Sequence, residues 1–398
     1  MSEFKSSSFR NEDNSGAPDI VGVTTFTSPF YFVPPSGTTA QRPSGDGLAP
    51  GMLRFNTDIG RLEVWRGDHW GIILGESPNL GISTAAAPAS SGTGARGVFG
   101  GGDNPADQSR LDFITISSLG NSIQFGNLTD ARTALSACSS STRAVFCGGY
   151  SATETITDFV TFSSGGSATS FGNLTLSGTK RIFTSSLSSS TRGITIGGTT
   201  QLSAPATLTN VIDYITIAFE GNSQDFGDLT SARYAGASFA SSTRGVFGGG
   251  YEVVGSNRTN TIDYVTISTL GNSIRFGNLT NGYTNQGGCS NATRGLFVGG
   301  FTTTPGPIST SNNTIEFTTI ASTGNTQDFG DLTAARTSVR SCSSPTRAVI
   351  IGGNEASRVN TIEYVNITTT GNSLDFGDMN TASPASAQAA CSNAHGGL

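Results

Sequence analysis

From residue 96 onward, apolar and polar positions alternate in short runs broken by Gly, Ser, Thr and Asn, with no apolar stripe at helical spacing. The run Arg-Gly-Val-Phe-Gly-Gly opens at Arg96 and returns in variant form at Arg143, Arg192, Arg244, Arg294 and Arg347, at intervals of 47, 49, 52, 50 and 53 residues. A second phrase places an acidic residue before an aromatic one: Asp112-Phe113, Asp158-Phe159, Asp213-Tyr214, Asp263-Tyr264, Glu316-Phe317 and Glu363-Tyr364. A third, Phe-Gly-Asn/Asp-Leu/Met, opens at Phe125, Phe171, Phe226, Phe276, Phe329 and Phe376. Each phrase has strand length and is bounded by turn residues, and a weaker Ser/Ala/Cys-rich segment precedes each Arg phrase. In the second phrase apolar side chains fall on both faces, as at Ile262, Tyr264, Val265 and Ile267. Such a strand has no face to give to water. Six copies of a four-stranded unit, each covered on both sides by its neighbours, predict an all-β, six-bladed β-propeller.

The spacing predicts which parts are rigid. From the acidic residue to the phenylalanine of phrase three the separation is 13 in every copy, so the hairpin between strands three and four is fixed. From the second glycine of the pair that closes the Arg phrase (Gly101, Gly149, Gly198, Gly249, Gly300, Gly353) to the acidic residue it runs 11, 9, 15, 14, 16 and 10. A further three-residue insertion, Leu176-Ser177-Gly178, falls between units. In an antiparallel unit the loops after strands two and four emerge at one end, so nearly all the variation sits on one face. Variable loops on a rigid scaffold are where recognition usually resides. Tyr150, Tyr251, Phe301 and Asn354, each just beyond a glycine pair, are the candidate binding residues. The glycine pairs themselves, such as Gly248-Gly249 and Gly352-Gly353, are expected to supply positive φ or close backbone approach. The repeated Arg96, Arg143, Arg192, Arg244, Arg294 and Arg347 are expected to tie neighbouring strands or units through carboxylates or carbonyls.

Ahead of the repeats, residues 1–50 are rich in Pro, Ser, Gly and Thr, with a β-like stretch from Ile20 to Val33, and are expected to be an extended attachment segment without a compact core. Residues 51–74 alternate as three strands, Leu53 to Phe55, Leu62 to Trp65 and Trp70 to Leu74, and predict a small meander. It is too small to stand alone, and Trp65 and Trp70, the only two tryptophans, suit a docking surface. Residues 75–398 are left for the propeller, whose closure rests either on residues 82–90 or on the C-terminal residues 385–398, which restart the repeat.

Composition changes this picture little. With 53 glycines and 13% charged residues the chain suits turns and strands, and a net charge of −6 without basic clusters offers nothing to nucleic acid. The polar first residues do not read as a signal peptide, and no stretch is long and apolar enough to insert in a membrane as a helix. A protein made in the cytoplasm is the expectation, and Asn-x-Thr triplets such as Asn127-Leu128-Thr129 belong to the repeat rather than to glycosylation.

No enzyme chemistry is expected. His69 and His395 are the only histidines, so neither a Ser/His/Asp arrangement nor a zinc site can be assembled; no catalytic residue, metal ligand or cofactor is assigned. Cys138, Cys289, Cys342 and Cys391 occupy one repeat position and, with Cys147, read as small buried residues rather than disulfides. The acidic pairs Asp225/Asp228, Asp328/Asp331 and Asp375/Asp378 recur in three copies and give way to Arg275 and Asn278 in another, which marks a solvated outer strand rather than a unique catalytic pair.

The glycine pair ending strand two and the aromatic residue of strand three resemble a kelch repeat, although phenylalanine of Phe-Gly-Asn stands where a kelch blade has tryptophan. Residues 51–74 resemble a module of tail-fibre and other virion proteins of tailed bacteriophages, and Gly-Asn-Ser-x-x-Phe-Gly-Asn-Leu-Thr at 271–280 is similar in style to repeats of marine phage structural proteins. The resemblance implies a virion protein, tail-fibre-like or tail-associated, attached to other virion proteins through its N-terminal segment, with a propeller face for a host-surface glycan or protein. A homo-oligomer, trimeric or hexameric, would suit that setting. The alternative it leaves open is a structural nozzle, cement or head-decoration subunit contacting virion proteins on both faces.

Overall fold

The computed structural model describes residues 34–45, 48–72, 95–103, 106–151, 156–175, 180–201, 207–252, 257–302, 310–380 and 387–398. They form an all-β structure with no α-helix among them, in two compact units divided between residues 77 and 78.

In the first unit, strands Leu53–Asn56, Arg61–Trp65 and Trp70–Ile72 form the expected antiparallel meander. A fourth strand, Ser36–Gly37, pairs in parallel with Leu53–Asn56. Part of the segment expected to be extended thus joins the meander as an edge strand, with no buried residue among residues 34–45. The reason is electrostatic: Glu63 is fully buried, and Arg42, Arg54 and Asn56 surround its carboxylate. Arg42 holds that carboxyl below its ordinary pKa and ties its own segment to the meander through the Glu63 carboxylate. Trp65 and Trp70 face each other in register with ring centroids 5.6 Å apart, and the Trp70 indole donates to the Pro43 carbonyl at 3.0 Å. These contacts use part of the surface offered for docking. Ile20 to Val33 lies outside the described residues.

The second unit contains, among the described residues, six four-stranded antiparallel sheets, five of them each from one repeat, and two small three-stranded ones. In sheet four, for example, the strands in order are Ala237–Ala240, Arg244–Gly248, Thr261–Thr266 and Ile274–Asn278. Sheet one is assembled from both ends of the repeat region: Ala389–Ser392 pairs antiparallel with Arg96–Gly100. The C-terminal residues thus supply its first strand, and residues 82–90 lie outside the described residues.

Neighbouring sheets are joined by bonds that repeat from one to the next. The guanidinium of Arg96 donates to the Phe162 carbonyl of sheet two, Arg143 to Ile217 of sheet three, Arg192 to Ile267 of sheet four, Arg244 to Ile320 of sheet five and Arg294 to Ile367 of sheet six. Arg347 of sheet six returns to Ile116 of sheet one at 2.8 Å. Each of these arginines also lies over the aromatic ring of its own third strand, 4.4 to 5.1 Å from the centroid, an arrangement that contributes about 0.5–2 kcal/mol apiece. The repeated arginines therefore serve carbonyls and rings, and the series of bonds runs from sheet six back to sheet one.

The constant spacing of 13 has a structural cause. The glycine in each hairpin turn donates its N–H to the phrase-three phenylalanine carbonyl of the preceding sheet, as Gly324 does to Phe276 and Gly120 to Phe376. Asn325 and Asn121, one residue on, accept from the backbone N–H groups of Asn278 and Asp378. The approach is so close that a Cβ on Gly277 would lie 2.0 Å from the Gly324 carbonyl oxygen. Only glycine fits there. The same closeness explains Arg-Gly in the Arg phrase: a Cβ on Gly193 would meet the Cys138 sulfur at 2.6 Å, so the strand-one side chain of one sheet fills the gap over the next.

Gly277→Ala is expected to destabilise the protein by about 1–3 kcal/mol through this backbone clash, whereas Gly324→Ala, with nothing within 4 Å of its added methyl, should stay within about 0.5 kcal/mol of wild type. Denaturant melts of the two variants check this; equal losses would contradict it.

Candidate functional site

Second strands end at the loop-bearing end in a pair of glycines with positive φ, such as Gly148 (62°) and Gly149 (104°). In sheet four the pair is Gly249 (69°) and Gly250 (105°), one residue later than the sequence suggested, because Gly248 still pairs with Ile262 inside the strand. The second glycine donates its N–H to a carbonyl of the next sheet's approach segment: Gly149 to Arg181, Gly198 to Arg233, Gly300 to Arg336. Those acceptors belong to arginines that the repeat phrases do not include. Arg132, Arg181, Arg233 and Arg336 are all but inaccessible to solvent and pair with the phrase-two carboxylates Asp158, Asp213, Asp263 and Glu363. Each carboxylate also accepts a threonine hydroxyl from the Leu-Thr that ends phrase three of the preceding sheet, as Asp158 does from Thr129 at 2.7 Å and Asp263 from Thr230 at 2.5 Å. The repeated acids of sheets two to six are thus committed to holding sheets together, whereas Asp112 pairs with Arg110 of its own strand. Removing one partner of such a buried pair leaves an unpaired charge, at a cost of about 3–5 kcal/mol.

The four candidate binding residues occupy one equivalent position. Tyr150, Tyr251, Phe301 and Asn354 pair with Thr133, Tyr234, Thr284 and Thr337 on the segments leading into the first strands. Tyr150 is the most open, 38% exposed, with the Lys180 ammonium 4.3 Å from its ring centroid. Tyr251 lies 5.6 Å from Tyr234, which lies 5.8 Å from Phe183, a row of three rings. Phe301 carries Arg258 over its ring at 5.8 Å. They face their neighbours as well as solvent. The insertion at 176–178 is outside the described residues.

Next come six non-glycine residues in the left-handed region, one per repeat: Ala134, Phe183, Ala235, Asn285, Ser338 and Ala387, with φ between 52° and 57°. Their N–H groups donate from sheet to sheet, Ala134 to Ala387, Phe183 to Ala134, Ala235 to Phe183, Asn285 to Ala235 and Ser338 to Asn285. That bond between sheets offsets the strain of the conformation.

The first strands of all six sheets line two successive cavities. The one at the loop-bearing end has a volume of about 60 Å³ and the second about 50 Å³. At the second, serine hydroxyls donate across sheets: Ser139 to the Ser392 carbonyl, Ser188 to Ser139, Ser290 to Ala240, Ser343 to Ser290 and Ser392 to Ser343. Ala240 has no hydroxyl to continue the series. His395 and Gly396-Gly397 lie beside that break: His395 Nε2 is 3.1 Å from the Ser139 carbonyl and 3.2 Å from Ser188 Oγ, while Nδ1 accepts the Gly397 N–H. With Nδ1 an acceptor and Nε2 facing a carbonyl, the ring is neutral and carries its proton on Nε2. Desolvation lowers its pKa, outweighing the Ser139 carbonyl, which raises it.

In the cavity at the loop-bearing end one residue breaks the six-fold pattern. The position that is Ser136, Ser185, Ala237, Gly287 and Ala389 in five sheets is Arg340 in the sixth. Its guanidinium donates to the Gln388 carbonyl at 2.6 Å and the Val339 carbonyl at 2.8 Å. Among the described residues it has no carboxylate partner, and desolvation brings its pKa down to about 10, so it stays charged at neutral pH. The signal was present in the sequence: Cys342 shares its repeat position with Cys138, Cys289 and Cys391, which sets Arg340 against Ser136, Gly287 and Ala389. All five cysteines are free and buried, and burial pushes the thiols of Cys289 and Cys391 up to about 12. No group of three or more His, Cys, Asp or Glu that could hold a metal ion occurs among the described residues. No protein-family model matches the chain, and no curated protein matches it either.

The His395 geometry makes stability depend on pH. Since the folded pKa lies below the ordinary value of about 6.5, the contribution of the neutral ring is complete above that value and is lost as pH falls below it. Denaturant melts at pH 7.5 and 5.5 should show a larger acid loss for wild type than for His395→Gln; equal losses would contradict the assignment.

Proposed function

We propose that residues 95–398 form a six-bladed, kelch-like β-propeller that serves as a non-enzymatic recognition module of a phage virion, tail-fibre-like or tail-associated. The N-terminal unit attaches it to other virion proteins, and the loop-bearing face meets a host-surface component. The observation that carries this reading is the contrast between the two kinds of position. Where the six repeats agree, most residues are committed to bonds between sheets: arginine to carbonyl, turn glycine to phenylalanine carbonyl and, in four sheets, carboxylate to buried arginine and threonine. Where they differ, at the ends of the second strands, the side chains are aromatic and partly open, as at Tyr150 and Tyr251. Carboxylates already paired in this way are poor candidates for acid/base work, which supports binding over catalysis. The kelch and phage resemblances support the virion setting.

A structural subunit touching virion proteins at both ends is the second reading. It is favoured by exposed apolar side chains on the hairpins at the opposite end, Leu119 (59% exposed), Phe219 (75%) and Leu270 (58%). Replacing the loop between Gly300 and Asn312 with the shorter one between Gly353 and Asn360 separates the two. Recognition by the loop face predicts a loss of host-cell or glycan-array binding of about tenfold or more, as expected for one lost hot spot, with the melting transition unchanged. Unchanged binding, together with contacts from both ends in an electron-microscopy map of the particle, would transfer the assignment to the structural reading.

A further inference from the structure

Two spaces larger than the first-strand cavities open at the hairpin end, a cleft of about 450 Å³ on sheet six and one of about 430 Å³ on sheet five. They occupy the same place in the repeat. Strand pairing sets Tyr364 beside Leu374 in the first and Phe317 beside Gln327 in the second, so each aromatic side chain shares a sheet face with the first residue of the outer strand. The backbone on which Tyr364 and Phe317 sit is paired on either side, so their partial exposure belongs to the side chains. Leu374 is 58% exposed, and Asn366, two residues beyond Tyr364, falls on the same face of sheet six.

The polar groups of the clefts are held with donors to spare. Asn372 accepts the Asp331 N–H and Asn325 the Asn278 N–H, each through Oδ1 at 3.0 Å from the preceding sheet. Asn366 Oδ1 accepts the N–H and the hydroxyl of Thr368. In all three exposed carboxamides the oxygen is occupied and the NH₂ group is left to donate. Thr323 and Thr370, at one turn position of the two sheets, add exposed hydroxyls. Charge is nearly absent. Among the described residues no charged side chain lines the cleft of sheet five, and the one charge in that of sheet six, Arg347, is engaged with the Ile116 carbonyl and the Tyr364 ring.

We propose that the clefts of sheets five and six each bind a neutral hexopyranose unit of a glycan. Their volumes lie within the range of about 300–1,000 Å³ usual for small-ligand sites, and an apolar surface with a few placed polar groups is the usual lining. The apolar side of the sugar ring lies along Tyr364 and Leu374 in one cleft and along Phe317 in the other. The carboxamide NH₂ groups donate to sugar hydroxyls, and the threonine hydroxyls, which both donate and accept, complete the set. An anionic sugar finds no counter-charge in the cleft of sheet five. A polyol without a ring leaves the aromatic surface uncovered. This inference goes beyond the recognition reading, because it places sugar at the hairpin end and draws on none of the variable loops.

The test titrates the purified full chain with the methyl glycosides of glucose, galactose, mannose and N-acetylglucosamine, with glycerol and glucose 6-phosphate for comparison. Amide NMR spectra locate the binding. At least one glycoside is expected to bind with a Kd on the order of millimolar, moving the amide signals of residues 369–372 and 322–325. Glycerol should leave them in place, and glucose 6-phosphate should bind no more tightly than the glucoside. Leu374→Arg and Gln327→Arg fill the two clefts from exposed positions. Each should weaken binding in its own sheet by about tenfold or more and leave the other sheet unchanged, while the double variant loses both responses; melting curves establish that all three remain folded. The proposal is overturned if no glycoside moves these signals, if glycerol binds as well or glucose 6-phosphate more tightly, or if the folded double variant binds unchanged. Replacement of the loop between Gly300 and Asn312 touches neither cleft, so sugar binding there should survive it, and the two readings can fail separately.

Discussion

Every feature of the repeat region depends on how closely one thin sheet can approach the next. A four-stranded sheet of some twenty residues has two apolar faces and too little bulk to cover either. Its neighbours must do so. The approach is set by backbone against backbone, where a turn glycine gives its N–H to a phenylalanine carbonyl and a second glycine leaves no Cβ in the way. Once that distance is fixed, the remaining links are within reach: arginine extends across to a carbonyl, threonine and buried arginine share a carboxylate, and a cysteine, leucine or phenylalanine on a first strand fills the hollow over the next sheet's glycine.

The sequence disclosed the strands because their demands are local and recur. Fixed spacing from Asp263 to Phe276 is the imprint of a hairpin clamped at both ends, and Arg244 repeats because each sheet needs the same carbonyl reached. It hid what depends on nonlocal partners. Arg181 looks like a surface residue at the start of a loop, yet it is fully buried because Asp213, thirty-two residues later, comes to meet it. Arg340 stands in a Ser/Ala/Cys segment with no hydrophobic rhythm, so although the repeated cysteine aligns it with Ser136, only the strand pairing shows that this position lines a cavity. The N-terminal segment was hidden for the same reason: Ser36–Gly37 becomes a strand because Arg42 answers the buried Glu63.

The two ends of the sheets have different freedom. At the hairpin end, positions are consumed by clamps between sheets. At the other, the glycine pair turns the chain out of the sheet, and the residues just beyond it form short pairings of their own, as Tyr251 does with Tyr234 and Arg258. A scaffold that locks one end and releases the other can change its loops without changing its packing, a division suited to recognition. The cavity lies at the released end, and Arg340 shows that even the first strands can depart from the repeat where the space between sheets leaves room.

Closure is the most direct point of test. The first sheet takes its first strand from Ala389–Ser392, so a chain ending at residue 380 lacks that strand, the Ser392 hydroxyl bond and the His395 contacts together. If the sheets form a closed circle, unfolding of this truncated chain should show loss of stability across all the sheets, with hydrogen exchange accelerated in residues 294–298 as much as in 96–100, and adding a peptide of residues 381–398 should restore protection in both. A linear stack would instead lose protection only in the first sheet while the others melt as before. That outcome would contradict the account.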